Sequence, residues 1–111
     1  MTDEFPNDAN GDVLRRMKAE GDNLAKARDM DFQVVFADQT KAESFAAVFR
    51  QQNLRAEVKR SNVAKGLPWD VRVVKHMLPT HAGITAFEDE LQAVADRFGG
   101  RNDGWGSFNQ G

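Results

Sequence analysis

The sequence predicts an α+β fold of the ferredoxin-like type: a βαββαβ sandwich with a four-stranded antiparallel sheet, two helices on one face, and an additional N-terminal helix. Three segments alternate apolar and polar residues, as half-buried strands do, and segments with a helical period lie between them. Residues 32–49 and 71–98 also repeat one order of strand, loop, Thr-x-x-Glu box and amphipathic helix. Two such halves, each with a right-handed crossover, interleave into one antiparallel sheet.

The first two elements are a helix and a strand. Apolar residues recur near the helical period from Leu14 to Arg28, which predicts a leading helix over this stretch. Gly21 lies in the middle of it, where glycine costs about 1 kcal/mol relative to alanine, so we expect this helix to depend on packing. The alternation from Met30 to Phe36 then predicts the first strand.

A second helix and a hairpin follow. The capping box of Thr40 and Glu43 predicts a helix that begins at Thr40, and the pattern of that helix ends at Gln52. Residues 54–59 and 69–77 alternate as strands do. The residues between them, 61–68, include glycine and proline and predict a loop.

The last two elements are a helix and a strand. A second Thr-x-x-Glu box predicts a third helix from Thr85 to Phe98, which ends in a left-handed cap at Gly99. Residues 100–105 are expected to form a final strand, because Trp105 needs a surface to pack against.

The same patterns assign side chains to the core and to the two faces of the sheet. We expect one core that contains Phe32, Val34, Phe45, Phe49, Val71, Val73, Phe87, Leu91, Val94 and Phe98. By alternation, the open face of the sheet carries Gln33, Val35, Arg55, Glu57, Lys59, Arg72, Val74 and His76.

The composition limits the class of protein. With 111 residues, the chain fits one domain, which we expect to cover residues 10–111 after a disordered tail at residues 1–9. No apolar run approaches the roughly 18 to 20 residues of a membrane span and no signal pattern is present, so we expect a cytoplasmic protein with no membrane partner. The absence of cysteine excludes disulfides, thiolate nucleophiles and the common cysteine zinc sites.

Candidate catalytic groups do not converge in the sequence. His76 and His81 are the only histidines, and no third ligand stands at metal-binding spacing. Residues 88–90 are consecutive carboxylates, which we expect to splay around the first turn of the third helix rather than form an acid–base pair. The sequence therefore predicts a protein that is not an enzyme and has no catalytic, cofactor or metal site.

Charge is segregated along the chain, although the net charge is only −2. Residues 50–75 carry seven basic side chains against two acidic ones, a net charge of +5. Ferredoxin-like sheets can bind single-stranded RNA, so an RNA-binding module that uses the 55–75 hairpin is an open alternative, although Phe32, Phe36 and Trp69 are expected on the helix side and not under the bases. The predicted basic surface consists of Arg55, Lys59, Arg60, Lys65 and Arg72.

The C-terminal segment around Trp105 is the least ordinary part of the chain. Trp105 stands between Gly104 and Gly106, which permit unusual backbone angles and the close approach of another backbone. Two interpretations are open: a structural plug over one end of the helix layer, or an aromatic anchor at a protein interface, where tryptophan is over-represented among hot spots. The candidate interaction residues are Asp103, Gly104, Trp105, Gly106 and Phe108.

With its Asp-Gly-Trp-Gly string after the last helix, the chain resembles the regulator of ribonuclease E activity B family of bacterial proteins. The resemblance covers the leading helix, the βαββαβ order and this closing segment. It implies a non-enzymatic inhibitor-like protein that binds the scaffold region of ribonuclease E and changes the cleavage of a subset of transcripts. The better-known members are strongly acidic, whereas this chain is nearly neutral.

Overall fold

The computed structural model of the chain describes residues 8–61 and 66–107. Its elements, in chain order, are α1 (Ala9–Ala19), β1 (Arg28–Phe36), α2 (Gln39–Arg50), β2 (Arg55–Arg60), β3 (Trp69–Met77), α3 (His81–Asp96) and β4 (Arg101–Ser107). Lys65, Phe108 and residues 1–7 of the expected tail lie outside the described residues. Among the described residues, none of the helices reaches the length and apolarity that a membrane span requires.

The four strands form one antiparallel sheet in the order β2-β3-β1-β4. β1 lies inside the sheet and pairs with β3 from Arg28 opposite Met77 to Phe36 opposite Trp69, while β4 pairs with its other edge. This is the strand order of two interleaved βαβ halves, so the predicted ferredoxin-like α+β fold is confirmed.

A chain of phenylalanine rings joins the sheet to α2 and α3. Along this chain the ring centroids are 5.0 Å apart from Phe36 to Phe45, 5.0 Å from Phe45 to Phe49 and 6.0 Å from Phe49 to Phe87. Phe87 then meets Phe32 edge-on at 4.8 Å. All five side chains are at most 2% exposed. Four of them were expected in the core, and the fifth, Phe36, lies on the helix side of the sheet as expected.

Two residues expected in the core lie at its margin. Val94 and Phe98, near the end of α3, are only partly buried and pack against the core cluster. The helical pattern placed them on the correct face, and α3 packs mainly against β4, the edge strand of the sheet.

α2 begins within one residue of its predicted start at Thr40, whereas the predicted start of α3 at Thr85 is wrong. α2 begins at Gln39, because the Asp38 carboxylate accepts hydrogen bonds from the amides of Thr40 (2.7 Å) and Lys41 (3.3 Å). α3 begins at His81, where the hydroxyl of Thr80 accepts from the Gly83 amide at 3.1 Å. In each case a residue that precedes the Thr-x-x-Glu box caps the helix, so the helix begins before the box.

The leading helix is shorter than predicted, since α1 ends at Ala19 and does not continue to Arg28. Gly21 has φ +92°, and the Asp22 amide donates to the Met17 carbonyl at 3.0 Å, which is the geometry of a glycine-terminated helix end. The Arg28 guanidinium and the Asp22 carboxylate form a buried ion pair at 2.8 Å, which fixes the loop that follows.

The end of α3 matches its prediction. Gly99 has φ +73°, and the Gly100 amide donates to the Ala95 carbonyl at 2.9 Å, so the left-handed cap is confirmed. Gly100 is also required by packing, because a β-carbon there would lie 2.2 Å from an atom of the Phe36 ring. The chain therefore enters β4 directly against the aromatic core.

We predict that Phe87→Ala lowers the free energy of unfolding by about 3 to 5 kcal/mol, because the ring fills the centre of the core between β1 and α2. Urea denaturation at constant pH measures this. The matched variant Phe98→Ala removes a partly buried ring and is expected to cost less. Equal losses for the two variants would contradict the central position of Phe87.

Candidate functional site

A β-bulge in β4 determines where Trp105 points. Phe32 pairs with Trp105 and Val34 pairs with Asn102, so a step of two residues on β1 faces a step of three on β4. Gly104, inside that step, has φ +109°, a conformation that glycine adopts readily. Asn102 and Trp105 therefore both face the helices, as their partners on β1 do.

The Trp105 side chain connects the last strand to the first helix. Its ring is half-buried against the core, and its Nε1–H donates to Oδ1 of Asn10, in the first turn of α1, at 2.9 Å. This contact supports the interpretation of Trp105 as a structural plug. One part of the ring still lines a groove at the surface.

Glu88, on α3, is held by the same amide group that holds Trp105. Nδ2 of Asn10 donates to Oε1 of Glu88 at 2.7 Å and to the Thr85 hydroxyl at 3.1 Å, while Nδ2 of Asn102 donates to Oε2 of Glu88 at 2.8 Å. We call Asn10, Thr85, Glu88, Asn102 and Trp105 the Asn10 cluster. It joins α1, α3 and β4 through side chains alone.

A groove of about 470 Å³ runs along the Asn10 cluster between these three elements. Its two ionisable lining residues are carboxylates, Asp8 and Glu88. Asp8 caps α1 through the Gly11 amide (2.8 Å) and contacts Nε2 of His81 (2.8 Å); these two bonds, the amide first, hold the pKa of Asp8 below its ordinary value. The lining residues are Asp8, Ala9, Asn10, Val13, Thr85, Glu88, Asn102, Gly104 and Trp105.

The candidate interaction residues on β4 do not form one patch. Trp105 faces the helices, whereas Asp103 lines a cavity on the open face of the sheet. Gly104 supplies the bulge, and Gly106 pairs with Asp31. The sequence string is therefore explained mainly by backbone geometry, and only Trp105 contributes a large side chain to the groove.

The histidines and the acidic run occupy separate places. His76 lies 3.0 Å from Oδ1 of Asp29 on the sheet, while His81 contacts Asp8 at the start of α3. No group of three histidine, cysteine or acidic residues within residues 8–61 and 66–107 is arranged to hold a metal ion. The expectation for residues 88–90 is wrong in one respect, because α3 begins at His81 and Glu88 lies beyond its first turn.

Most residues predicted on the open face of the sheet lie there, but Val35 and Val74 are buried, and carboxylates stand among the basic side chains of this face. Arg55 lies 4.0 Å from the Asp29 carboxylate, and Arg72 lies 4.0 Å from that of Asp31. Arg60 instead stacks near the Trp69 ring at 5.6 Å, on the helix side. The carboxylates among the basic side chains of this face belong to Asp29, Asp31, Glu57, Asp70 and Asp103.

The surroundings of Asp70, on this face of the sheet, oppose its charge. Partial burial, and after it the negative charge of Asp103, raise the pKa of Asp70 above its ordinary value of 3.8, against the attraction of Arg72 and Lys59. Its Oδ1 atom is buried and has no hydrogen-bond partner among the described residues. The ionised form of Asp70 therefore destabilises the folded sheet.

Sequence reasoning missed Asn10 and Asn102, and gave Thr85 and Glu88 roles only at the start of a helix. Asn10 is 75 residues or more from its partners on α3 and β4, so no local period connects them. The one available signal was the position of Gly104, which marks a bulge beside Trp105.

The fold and the site define a small ferredoxin-like α+β domain with an added N-terminal helix that a polar and aromatic cluster ties to the last strand. The chain belongs to the regulator of ribonuclease activity B family, whose family model matches residues 7–107, nearly the whole chain. It is thus a member of a family that regulates ribonuclease activity. A search of curated proteins finds no match.

We predict that Asp70→Asn raises the melting temperature at pH 7. The pKa of Asp70 is higher in the folded than in the unfolded state, so ionisation of this side chain lowers the free energy of unfolding. This loss is absent below the unfolded-state pKa near 3.8 and is complete once the pH has risen through the folded-state pKa. The gain should therefore disappear at low pH, which scanning calorimetry across pH measures. Asp89→Asn, an exposed carboxylate on α3, is the control for one lost charge. A gain that persists in acid would contradict the prediction.

Proposed function

We propose that the protein is a non-enzymatic regulator that acts in the bacterial cytoplasm by binding a ribonuclease directly, ribonuclease E by its family resemblance, and by changing how that enzyme cleaves RNA. The observation that carries the proposal is the Asn10 cluster beside its groove. Membership of a family of ribonuclease regulators supports the choice of partner.

The groove has the physical properties of a protein-binding site. The indole of Trp105 is fixed by the hydrogen bond to Asn10, so little rotamer entropy is lost when a partner covers the ring. The polar groups around the ring already bond one another, which leaves an aromatic surface with a polar rim. Binding hot spots in protein interfaces commonly have this arrangement.

The open face of the sheet favours a protein partner over RNA. Its basic side chains alternate with carboxylates, and Arg55 and Arg72 each face an aspartate of β1. A phosphate backbone would meet repulsion at those carboxylates, and the large aromatic side chains of β1 and β3 lie on the helix side. RNA binding by the 55–75 hairpin is therefore the less favoured function.

The proposal is tested with the purified protein and purified ribonuclease E, both treated with nuclease to remove RNA. Isothermal titration calorimetry should show saturable binding, and after removal of the nuclease the protein should change the rate of cleavage of a transcript in proportion to the occupied enzyme. No binding after nuclease treatment, or binding without any effect on cleavage, would contradict the proposal.

We predict that Trp105→Ala weakens binding to ribonuclease E by about 2 kcal/mol or more, because it removes the aromatic surface of the groove. Trp105→Phe keeps a ring against the core and should fold normally while it weakens binding less. Trp69→Phe is the matched control, since Trp69 is also partly buried but is the first residue of β3 and does not line the groove. Thermal melts accompany each measurement. Unchanged binding by a folded Trp105→Phe and Trp105→Ala pair would exclude this segment as the contact.

Reversal of charge at Arg55, Lys59 and Arg72 distinguishes the two functions. For a protein regulator, we expect this triple change to alter mainly the association rate and its salt dependence. For an RNA-binding module, it would abolish RNA binding, and wild-type affinity would fall with salt at a log–log slope of about −0.7 for each phosphate contacted. Filter binding with a single-stranded RNA at several salt concentrations measures the second case.

A further inference from the structure

Glu88 carries a charge that no cation of the described residues offsets. Its carboxylate is half-buried, and its two oxygens accept hydrogen bonds from neutral amides, Asn10 at 2.7 Å and Asn102 at 2.8 Å. No lysine, arginine or histidine in the described part of the chain lies within ion-pair distance of it. A carboxylate has about four acceptor positions, so two of them stay available for a donor from outside.

The surroundings of the Trp105 ring also differ from those of other aromatic rings in the protein. Three aromatic rings of the described residues each have one nearby: Arg60 lies over Trp69, Lys75 over Phe87 and Arg97 over Phe98, at 5.6, 4.4 and 5.5 Å from the ring centroids. Among these same residues, none places a basic group over Trp105. An indole face is nonetheless the most favourable aromatic surface for a cation.

The Glu88 carboxylate and the Trp105 indole line the same groove, and the side chain of Asn10 holds both. The amide of Asn10 accepts from the indole through Oδ1 and donates to Glu88 through Nδ2, so it sets the spacing between ring and carboxylate. Within residues 8–61 and 66–107, the ionisable residues that line the groove are Asp8 and Glu88, and none of the lining residues is a lysine or an arginine. The groove is therefore complementary to a positive side chain with a flat, partly apolar surface.

We propose that this groove binds an arginine side chain of the partner protein, with the guanidinium stacked on Trp105 and paired with Glu88. Arginine fits better than lysine because its planar group can stack on an indole and donate two parallel hydrogen bonds to a carboxylate. The inference rests on the proposed function, and it adds the chemistry by which the partner is recognised.

The test uses acetyl-arginine amide as the probe and acetyl-citrulline amide, its uncharged equivalent, as the control ligand. Nitrogen-15 NMR follows the indole N–H of Trp105, which a Trp69→Phe variant assigns unambiguously. We expect a saturable shift of the Trp105 signal with the arginine probe and none with citrulline. Equal shifts with citrulline, or equally tight binding of acetyl-lysine amide, would overturn the assignment of a guanidinium.

Variants on α3 test the role of the carboxylate. Glu88→Gln should weaken the arginine probe about fivefold, the equivalent of about 1 kcal/mol. Glu90→Gln, on the same helix but outside this groove, should leave the affinity unchanged. Should Glu88→Gln disturb folding, the comparison of arginine with citrulline on the wild-type protein decides alone. An unchanged affinity in a folded Glu88→Gln variant would overturn the proposal.

Calorimetry with ribonuclease E separates this inference from the proposed function. Weaker binding by Glu88→Gln, with normal binding by Glu90→Gln, would support both. Tight binding that Glu88→Gln leaves unchanged would overturn the arginine site and keep the proposed function. No ribonuclease binding, together with specific binding of the arginine probe, would overturn the proposed function and keep the groove as an arginine site.

Discussion

One extra residue in β4 determines the arrangement of the site. Because side chains alternate along a strand, Asn102 and Trp105 would face opposite sides of a regularly paired sheet. The bulge at Gly104 brings both to the helix side, where Asn102 meets Glu88 and Trp105 meets Asn10. Without that residue, α1 would lose its side-chain connection to β4 and the groove would lose its aromatic wall.

The charges that are segregated along the sequence are mixed in the folded sheet. The net charge of +5 in residues 50–75 is a property of the linear chain, and antiparallel pairing places β1, with Asp29 and Asp31, beside the basic side chains of that hairpin. Lys75 meanwhile lies over the Phe87 ring, on the helix side. A segment rich in arginine and lysine thus becomes part of a face of mixed charge.

The sequence predicted what local periodicity controls and missed what distant contacts control. The strands, most of the two faces of the sheet and the ring-lined core followed from alternation and helical stripes, whereas the burial of Val35 and Val74 did not. The start of α3 did not, since Thr80 caps that helix before the Thr-x-x-Glu box that begins at Thr85, and the choice between the two caps depends on where the extended backbone ends. The Asn10 cluster could not be derived at all, because its members share no period and meet only after the bulge has formed.

The core and the groove have separate physical origins, and this separation bears on how a regulator of this kind works. The core depends on apolar burial along the chain of phenylalanine rings, where a truncation costs about 3 to 5 kcal/mol. The groove depends on hydrogen bonds that contribute about 1 kcal/mol each. The two networks meet at Phe32, which contacts Phe87 and pairs with Trp105. Substitutions in the groove are therefore expected to leave the fold intact, whereas truncations of the phenylalanine rings are not.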